Sequence, residues 1–241
     1  MLAGGKLHQC RTAFLDQLPA PHNILLMGEG HGRSLVEYRR RFTDAQITCV
    51  DASRRMLTEA RRQLARHRLS WSRVEFLHAD ILSWMPPENR HDLVATNFFL
   101  DCFRPDQLEQ VVSKIAASST RDATWLLADF QIPSAGWQSV RSRMIIWSLY
   151  RFFRATTGLP ARTLTKPDPL LSKAGFQLHY RVVNEWGLLH ADRWEKPAYG
   201  KQAATVRQGR NATLSTFSEQ SHVAGYPFAS NRIRPSQGTS R

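Results

Sequence analysis

Three glycines at alternate positions, Gly28, Gly30 and Gly32, break an apolar run in the segment NILLMGEGHGRSL, residues 23–35. Glycines after a strand let the backbone approach a ligand closely and turn N–H groups and the positive end of a helix toward it. Carboxylates then recur at the tips of later apolar runs: Asp51 closes QITCVD and Asp80 closes VEFLHAD. A carboxylate at the second tip can accept both hydroxyl hydrogens of a ribose, and one at the third can accept from the exocyclic amine of an adenine lying between the two. The spacing separates this loop from two others that bind nucleotides. A P-loop needs Lys-Ser/Thr after a four-residue spacer, whereas Arg33-Ser34 follow Gly32 directly, and a dinucleotide fingerprint needs glycine where Arg33 stands.

Positioning such groups on one edge requires strands that alternate with helices, and the pattern supplies them. Strand-length apolar runs at 24–27, 46–51, 74–80, 91–100 and 123–131 alternate with helix-period segments at 34–42, 53–68 and 105–117, after a leading helix over 5–18. This alternation predicts βαβ units and a mainly parallel sheet. Pro105 in a first turn with Asp106 beside it marks the start of the third of these helices. Residues 134–159 read as a long aromatic helical stretch, and a short helix at DPLLSKAG stops at Gly175. FQLHYRVVNEWGLLHADRW then alternates as two strands joined at Trp186-Gly187, predicting an antiparallel hairpin at one sheet edge. The expected fold is α/β, a doubly wound, mostly parallel seven-stranded sheet with a C-terminal antiparallel hairpin. Residues 1–195 are expected to form one domain with a lid-like helical insertion at 134–167, and residues 196–241 a basic, disordered tail that carries a sequon-like NAT at Asn211.

Composition narrows the setting. At 241 residues with 42% hydrophobic content the chain can fill one good-sized core. Cys10, Cys49 and Cys102 are odd in number and widely spaced, with no CxxC and no zinc-type cluster, so they read as reduced thiols and no metal is expected. No apolar run reaches the ~18 residues of a membrane span and the N-terminus lacks an apolar signal core, so the expectation is a soluble cytoplasmic protein. The net charge is +13, and 27 of the 33 basic residues are Arg, densest between Arg33 and Arg73. Such a surface speeds encounter with nucleic acid, acidic lipid or a phosphorylated substrate without choosing among them.

Taken together, these residues resemble the class I S-adenosylmethionine-dependent methyltransferases. LLMGEGHG is similar to the family's first motif, CVDAS to the acidic tip of its second strand, HADIL to its adenine-binding acid and HDLVATNFFLDCF to its fourth-strand motif. LLSKAGF with the two following strands is similar to its closing helix and hairpin, so the likeness spans residues 20–194. The resemblance implies a Rossmann-like methyltransferase fold, S-adenosylmethionine as cofactor and cofactor contacts from Gly28, Glu29, Gly30, Gly32, Asp51, Ala52, Asp80, Ile81 and Asn97. Many members carry an acid two positions before the first glycine; Leu26 stands there, and Glu29 is the candidate to replace its contact with the cofactor ammonium.

The expected reaction is in-line displacement at a sulfonium methyl, which relies mainly on alignment and exclusion of water and has no universal catalytic residue. A base is required only where the attacking atom carries a proton, and Asp101 after the fourth strand can act as base or substrate ligand. Met144–Phe153, with Trp147 and Tyr150, reads as an apolar wall for a hydrophobic or aromatic acceptor; the flanking Arg141, Arg143, Arg151 and Arg154 also fit a helix lying on a membrane surface. The subfamily likeness is to ubiquinone/menaquinone-type small-molecule enzymes. RNA or protein methylation is the alternative suggested by the charge, and a non-catalytic binding protein is the alternative suggested by Leu26.

Overall fold

The computed structural model describes residues 4–131, 165–197 and 207–209. The parallel strands are β1 (Asn23–Met27), β2 (Gln46–Asp51), β3 (Val74–His78), β4 (His91–Asn97) and β5 (Ser119–Phe130). The central ones are buried on both faces and read as continuous apolar runs, Ile24, Leu25 and Leu26 each being at most 1% exposed. β6 (Gln177–Asn184) and β7 (Leu189–Glu195) form the expected hairpin, and the sheet order is β3-β2-β1-β4-β5-β7-β6-β8. β7 runs antiparallel between β5 and β6, with Asp129 opposite His190 and Leu127 opposite Asp192. β8 (Arg207–Gly209) pairs parallel with β6. It falls in the segment expected to lack structure; for these three residues that expectation fails, because the open edge of β6 offers backbone groups that an extended segment satisfies.

The helices are α1 (Gly4–Thr12), α2 (Arg33–Arg41), α3 (Arg54–Arg66), α4 (Pro105–Ser118) and α5 (Asp168–Lys173). α1, α2 and α3 bury Cys10, Leu35, Tyr38 and Leu64 on one face of the sheet. α4 and α5 bury Leu108, Val111, Ile115 and Leu171 on the other. There the fully buried Trp125 donates its indole N–H to Thr96 Oγ1 at 2.8 Å and meets Phe176 edge-on at 5.3 Å. The order in which strands are added switches sides between the parallel strands β1 and β4, so the crevice of this sheet lies at the C-terminal ends of those strands and their neighbours. Met27, Asp51, His78, Asn97 and Phe130 end the five parallel strands along that edge. The lid-like insertion, apart from residues 165–167, and its Trp147 and Tyr150 lie outside the described residues.

Candidate active site

The glycine loop is built by three different demands. Gly28, at φ +63°, donates its N–H to Val50 O at 2.9 Å, and a Cβ there would overlap the Phe99 ring. Gly32, at φ +76°, lies under α3, where a Cβ would come 2.5 Å from Ala60 Cα. Both glycines therefore serve a positive φ and close packing. Gly30, at φ +62°, is different: a Cβ there would meet nothing within 4 Å, so the loop's open face is at this residue.

Asp51 ties that loop to the next helix. Its Oδ2 accepts the Gly30 N–H at 3.0 Å and its Oδ1 accepts the Ser53 N–H at 2.8 Å, which keeps the carboxylate at the lip of the loop. Ser53 caps α3 by accepting the Met56 N–H at 3.4 Å. Ala52 is exposed, and its carbonyl accepts a hydrogen bond from His78 Nε2–H at 3.0 Å, leaving His78 Nδ1 to accept from Arg54 Nε at 3.2 Å.

Glu29, the candidate for the cofactor ammonium, is engaged elsewhere. Its Oε1 accepts the N–H groups of Ser34 and Leu35 at 2.8 and 2.9 Å, and its Oε2 accepts the Ser34 hydroxyl at 2.7 Å. The reason is local: α2 begins at Gly32, which has no side chain to cap the helix, so a carboxylate one turn back satisfies the free donors and faces the positive helix end. Burial raises the Glu29 pKa, against the lowering effect of those bonds and of Arg11. Leu26 is 1% exposed and belongs to the core.

Asp80 stands two residues beyond β3 instead of ending it. Its Oδ1 accepts the Leu82 N–H at 2.9 Å and its carbonyl the N–H groups of Ser83 and Trp84, a tight turn that still leaves the side chain exposed on the site edge. Ile81, beside it, is buried in the α4 face of the core. Asn97 ends β4, 7% exposed, on the face of Tyr38. After it Phe98 turns into a left-handed conformation at φ +54°, holding on by its N–H to Ala128 O at 2.7 Å. Phe98 packs on Phe130 at 5.0 Å against the α1–α3 side of the core, and Phe99, whose ring lies against Gly28, packs on Phe103 at 5.0 Å against the α4 side.

Two groups on this edge are absent from the sequence reading. Arg11 of α1 lies 5.0 Å over the Phe98 ring, and its pKa is lowered by burial with Glu29 opposing. Asp129, near the tip of β5, is 2% exposed, takes the Phe130 N–H at 2.8 Å, and faces Asp101, which is 7% exposed in the turn 100–102. Burial raises both carboxyl pKa values, Asp101 adds to the rise at Asp129, and the Cys102 thiol lies 3.6 Å from Asp101 Oδ1. The LLAD ending of β5 is the same strand-tip acid signal as Asp51 and could have been read from sequence; the arrival of Arg11 could not. Behind Asp129, His190 Nδ1 sits 3.1 Å from Asp192 Oδ1. Burial opposes ionisation of Asp192, but the Arg181 fork, at 2.7 and 2.6 Å, holds it below the ordinary carboxylate range.

Residues 24–121 match the family described as a methyltransferase domain. Fold and match agree: these residues are similar to a methyltransferase domain, and the described fold is shared with solved S-adenosylmethionine-dependent methyltransferases such as SibL, at a TM-score of 0.57 and 22% identity. Among its relatives, the ribosomal RNA large subunit methyltransferase G of Shewanella amazonensis is 30% identical over 99 residues, covering 40% of this chain and 26% of that protein. The Burkholderia thailandensis 1,6-didemethyltoxoflavin-N1-methyltransferase, solved with 1,6-didemethyltoxoflavin and S-adenosylhomocysteine, superposes with a TM-score of 0.56 at 19% identity, covering 80% of this chain and 77% of that one. The mitomycin 7-O-methyltransferase superposes with a TM-score of 0.61 at 18% identity, covering 80% of this chain and 53% of that one. This chain thus spans about a quarter of the curated relative and about half of several solved ones.

Proposed function

We propose that this protein transfers a methyl group from S-adenosylmethionine to a small hydrophobic or aromatic acceptor at the C-terminal edge of its sheet. The observation that carries the proposal is the open face at Gly30 with the Asp51 carboxylate fixed beside it, a side-chain-free loop surface next to a ribose-type acceptor pair. The residues fit the cofactor. The backbone of Gly28, Gly30 and Gly32 would cradle its methionine end, with Arg11 as the nearby cation for a carboxylate. Asp51 would accept the ribose hydroxyls with its remaining lone pairs, Ala52 and Ile81 would border the adenine, Asp80 would accept from its amine, and Asn97 would meet the reacting end. When bound, the cofactor supplies a methyl group already activated by the positive charge on sulfur.

What this chain's own residues do follows from their surroundings. Asp51, held by two N–H groups, needs no reorganisation to receive a ligand, and Phe98, Phe99 and Phe130 exclude water from the reacting end. They also offer flat apolar faces to an aromatic acceptor. Two facing carboxyls in a dry environment resist full ionisation, so the Asp101–Asp129 pair can take up the proton of an attacking O–H or N–H group. Trp147 and Tyr150 remain proposed as acceptor contacts. The cytoplasm is the proposed compartment, in keeping with three free thiols; among the described residues no helix is long and apolar enough to cross a membrane.

Titration calorimetry with S-adenosylmethionine and S-adenosylhomocysteine tests the reading. Binding heat and a rise in melting temperature are expected; absence of both at millimolar ligand refutes it.

A further inference from the structure

The face formed by α2, α3 and the loop after α3 is not used by the transfer chemistry, and it is strongly basic. Eleven arginines lie between Arg33 and Arg73 and no lysine; all but the buried Arg39 are exposed. Glu37 holds Arg40 at 2.8 Å, and Glu59 holds Arg62 and Arg66 at 3.6 and 2.7 Å. Among the described residues Arg55, Arg68 and Arg73 have no carboxylate within 4 Å, so the face keeps a net positive charge. At its upper end, beside the glycine loop, a recess of about 390 Å³ is lined by His31, Arg55, Met56, Thr58, Glu59 and Arg62. At its lower end Trp71 is 55% exposed between Arg68 and Arg73.

We infer that this face is a docking surface for single-stranded RNA. The length of α3, 13 residues, is about 20 Å at 1.5 Å per residue, which matches about six phosphates of one strand. Guanidinium groups grip phosphate by paired N–H bonds and stack on bases, which ammonium groups do not. An exposed indole flanked by two arginines is a stacking platform for an unpaired base, and a duplex does not present one. A membrane is the less suitable partner: interfacial helices need a continuous apolar stripe, and the large apolar side chain exposed on this face is the single Trp71. The strand would run from Trp71 to the recess and so reach the edge that carries the cofactor loop. The inference concerns binding and holds independently of which acceptor is methylated.

The test uses the full chain and a fluorescein-labelled mixed-sequence 20-nucleotide RNA, followed by anisotropy from 50 to 200 mM NaCl. Contact with about four phosphates gives a slope of log Kobs against log salt of about −3. The double variant Arg55→Ala/Arg62→Ala, and separately Arg68→Ala/Arg73→Ala, should each flatten that slope by about 1.4. Trp71→Ala should weaken binding about 5- to 100-fold and leave the slope unchanged. Calorimetry with S-adenosylmethionine on the same variants should give unaltered heats, which keeps a failure of docking distinct from a failure of the transferase reading. The inference is overturned by no binding at 50 mM salt, by binding that none of the variants changes, by tighter binding to duplex DNA of the same length, or by Arg-dependent binding to phosphatidylserine vesicles without binding to RNA.

Discussion

Asp51→Ala removes the one side chain that joins the glycine loop to the start of α3. Two N–H groups, Gly30 at 3.0 Å and Ser53 at 2.8 Å, lose a charged acceptor. Hydrogen bonds to charged groups contribute about 1.5–3 kcal/mol each when dry; Asp51 is half-buried and both donors can turn to water, so about 1–2 kcal/mol of total destabilisation is expected. For a chain of this size that is a drop of about 2–8 °C in Tm. The loss of the ribose contact is separate, about 1.5–3 kcal/mol, or one to two orders of magnitude in the S-adenosylmethionine Kd. Asp51→Asn keeps a carbonyl oxygen for only one of the two N–H groups and should fall between the variant and the native chain on both scales. Calorimetry gives the affinity and thermal melting gives the stability, with far-UV circular dichroism to show that the sheet persists. A Kd for Asp51→Ala within twofold of the native value, in a folded protein, would refute the assignment of the second strand tip.

Three further outcomes follow from the same geometry. Gly28→Ala must meet both a positive φ and the Phe99 ring, so it should lose about 2–4 kcal/mol in urea unfolding, whereas Gly30→Ala meets open space and should lose only the left-handed backbone cost of about 1–2 kcal/mol. In Gly30→Ala the new methyl enters the open face, so calorimetry should show affinity falling more than stability. Glu29→Ala removes the cap of α2 and should cost about 1–2 kcal/mol in stability, with a cofactor Kd changed less than threefold; a larger affinity loss without a stability loss would return Glu29 to the ligand set. His91 at the start of β4 is 1% exposed, and burial, reinforced by Arg90, lowers its pKa to about 4 from an ordinary 6.5. The unfolded chain then binds the extra proton between those values, so this stability is whole above pH 6.5 and is lost as pH falls toward 4, by about 2 kcal/mol at pH 4.5. Urea melts at pH 7.5 and 4.5 should differ by that much more in the native chain than in His91→Gln, and equal differences would refute it.

Most of the architecture was legible because its signals are periodic and local. The strand at 46–51 and the helix from Pro105 appear within a residue of their expected bounds, each marked by an apolar run or a proline start, while the strand expected over 91–100 ends at Asn97, where Phe98 turns left-handed. Asp80 shows where that reading fails: the apolar run carries through Ala79, whose N–H makes the last bond to β2, at Asp51 O, and from Asp80 onward the chain satisfies its own backbone in a turn. Glu29 failed differently. Its place between two glycines suggested a ligand contact, yet whether a side chain points to the open face or back to a helix end depends on the backbone twist set by Gly28 and Gly30.

The G-x-G-x-G spacing, the acids at successive strand tips and the order of apolar runs were determined by the chain itself, because each is a rule about neighbours a few residues apart. The tertiary structure alone brought Arg11 over Phe98, set Asp129 against Asp101, and put His190 and Asp192 behind them, across separations of 87, 28 and about 60 residues. Those meetings depend on strand order and register, in which β7 enters between β5 and β6. A one-residue change of that register would turn every one of its side chains to the opposite face.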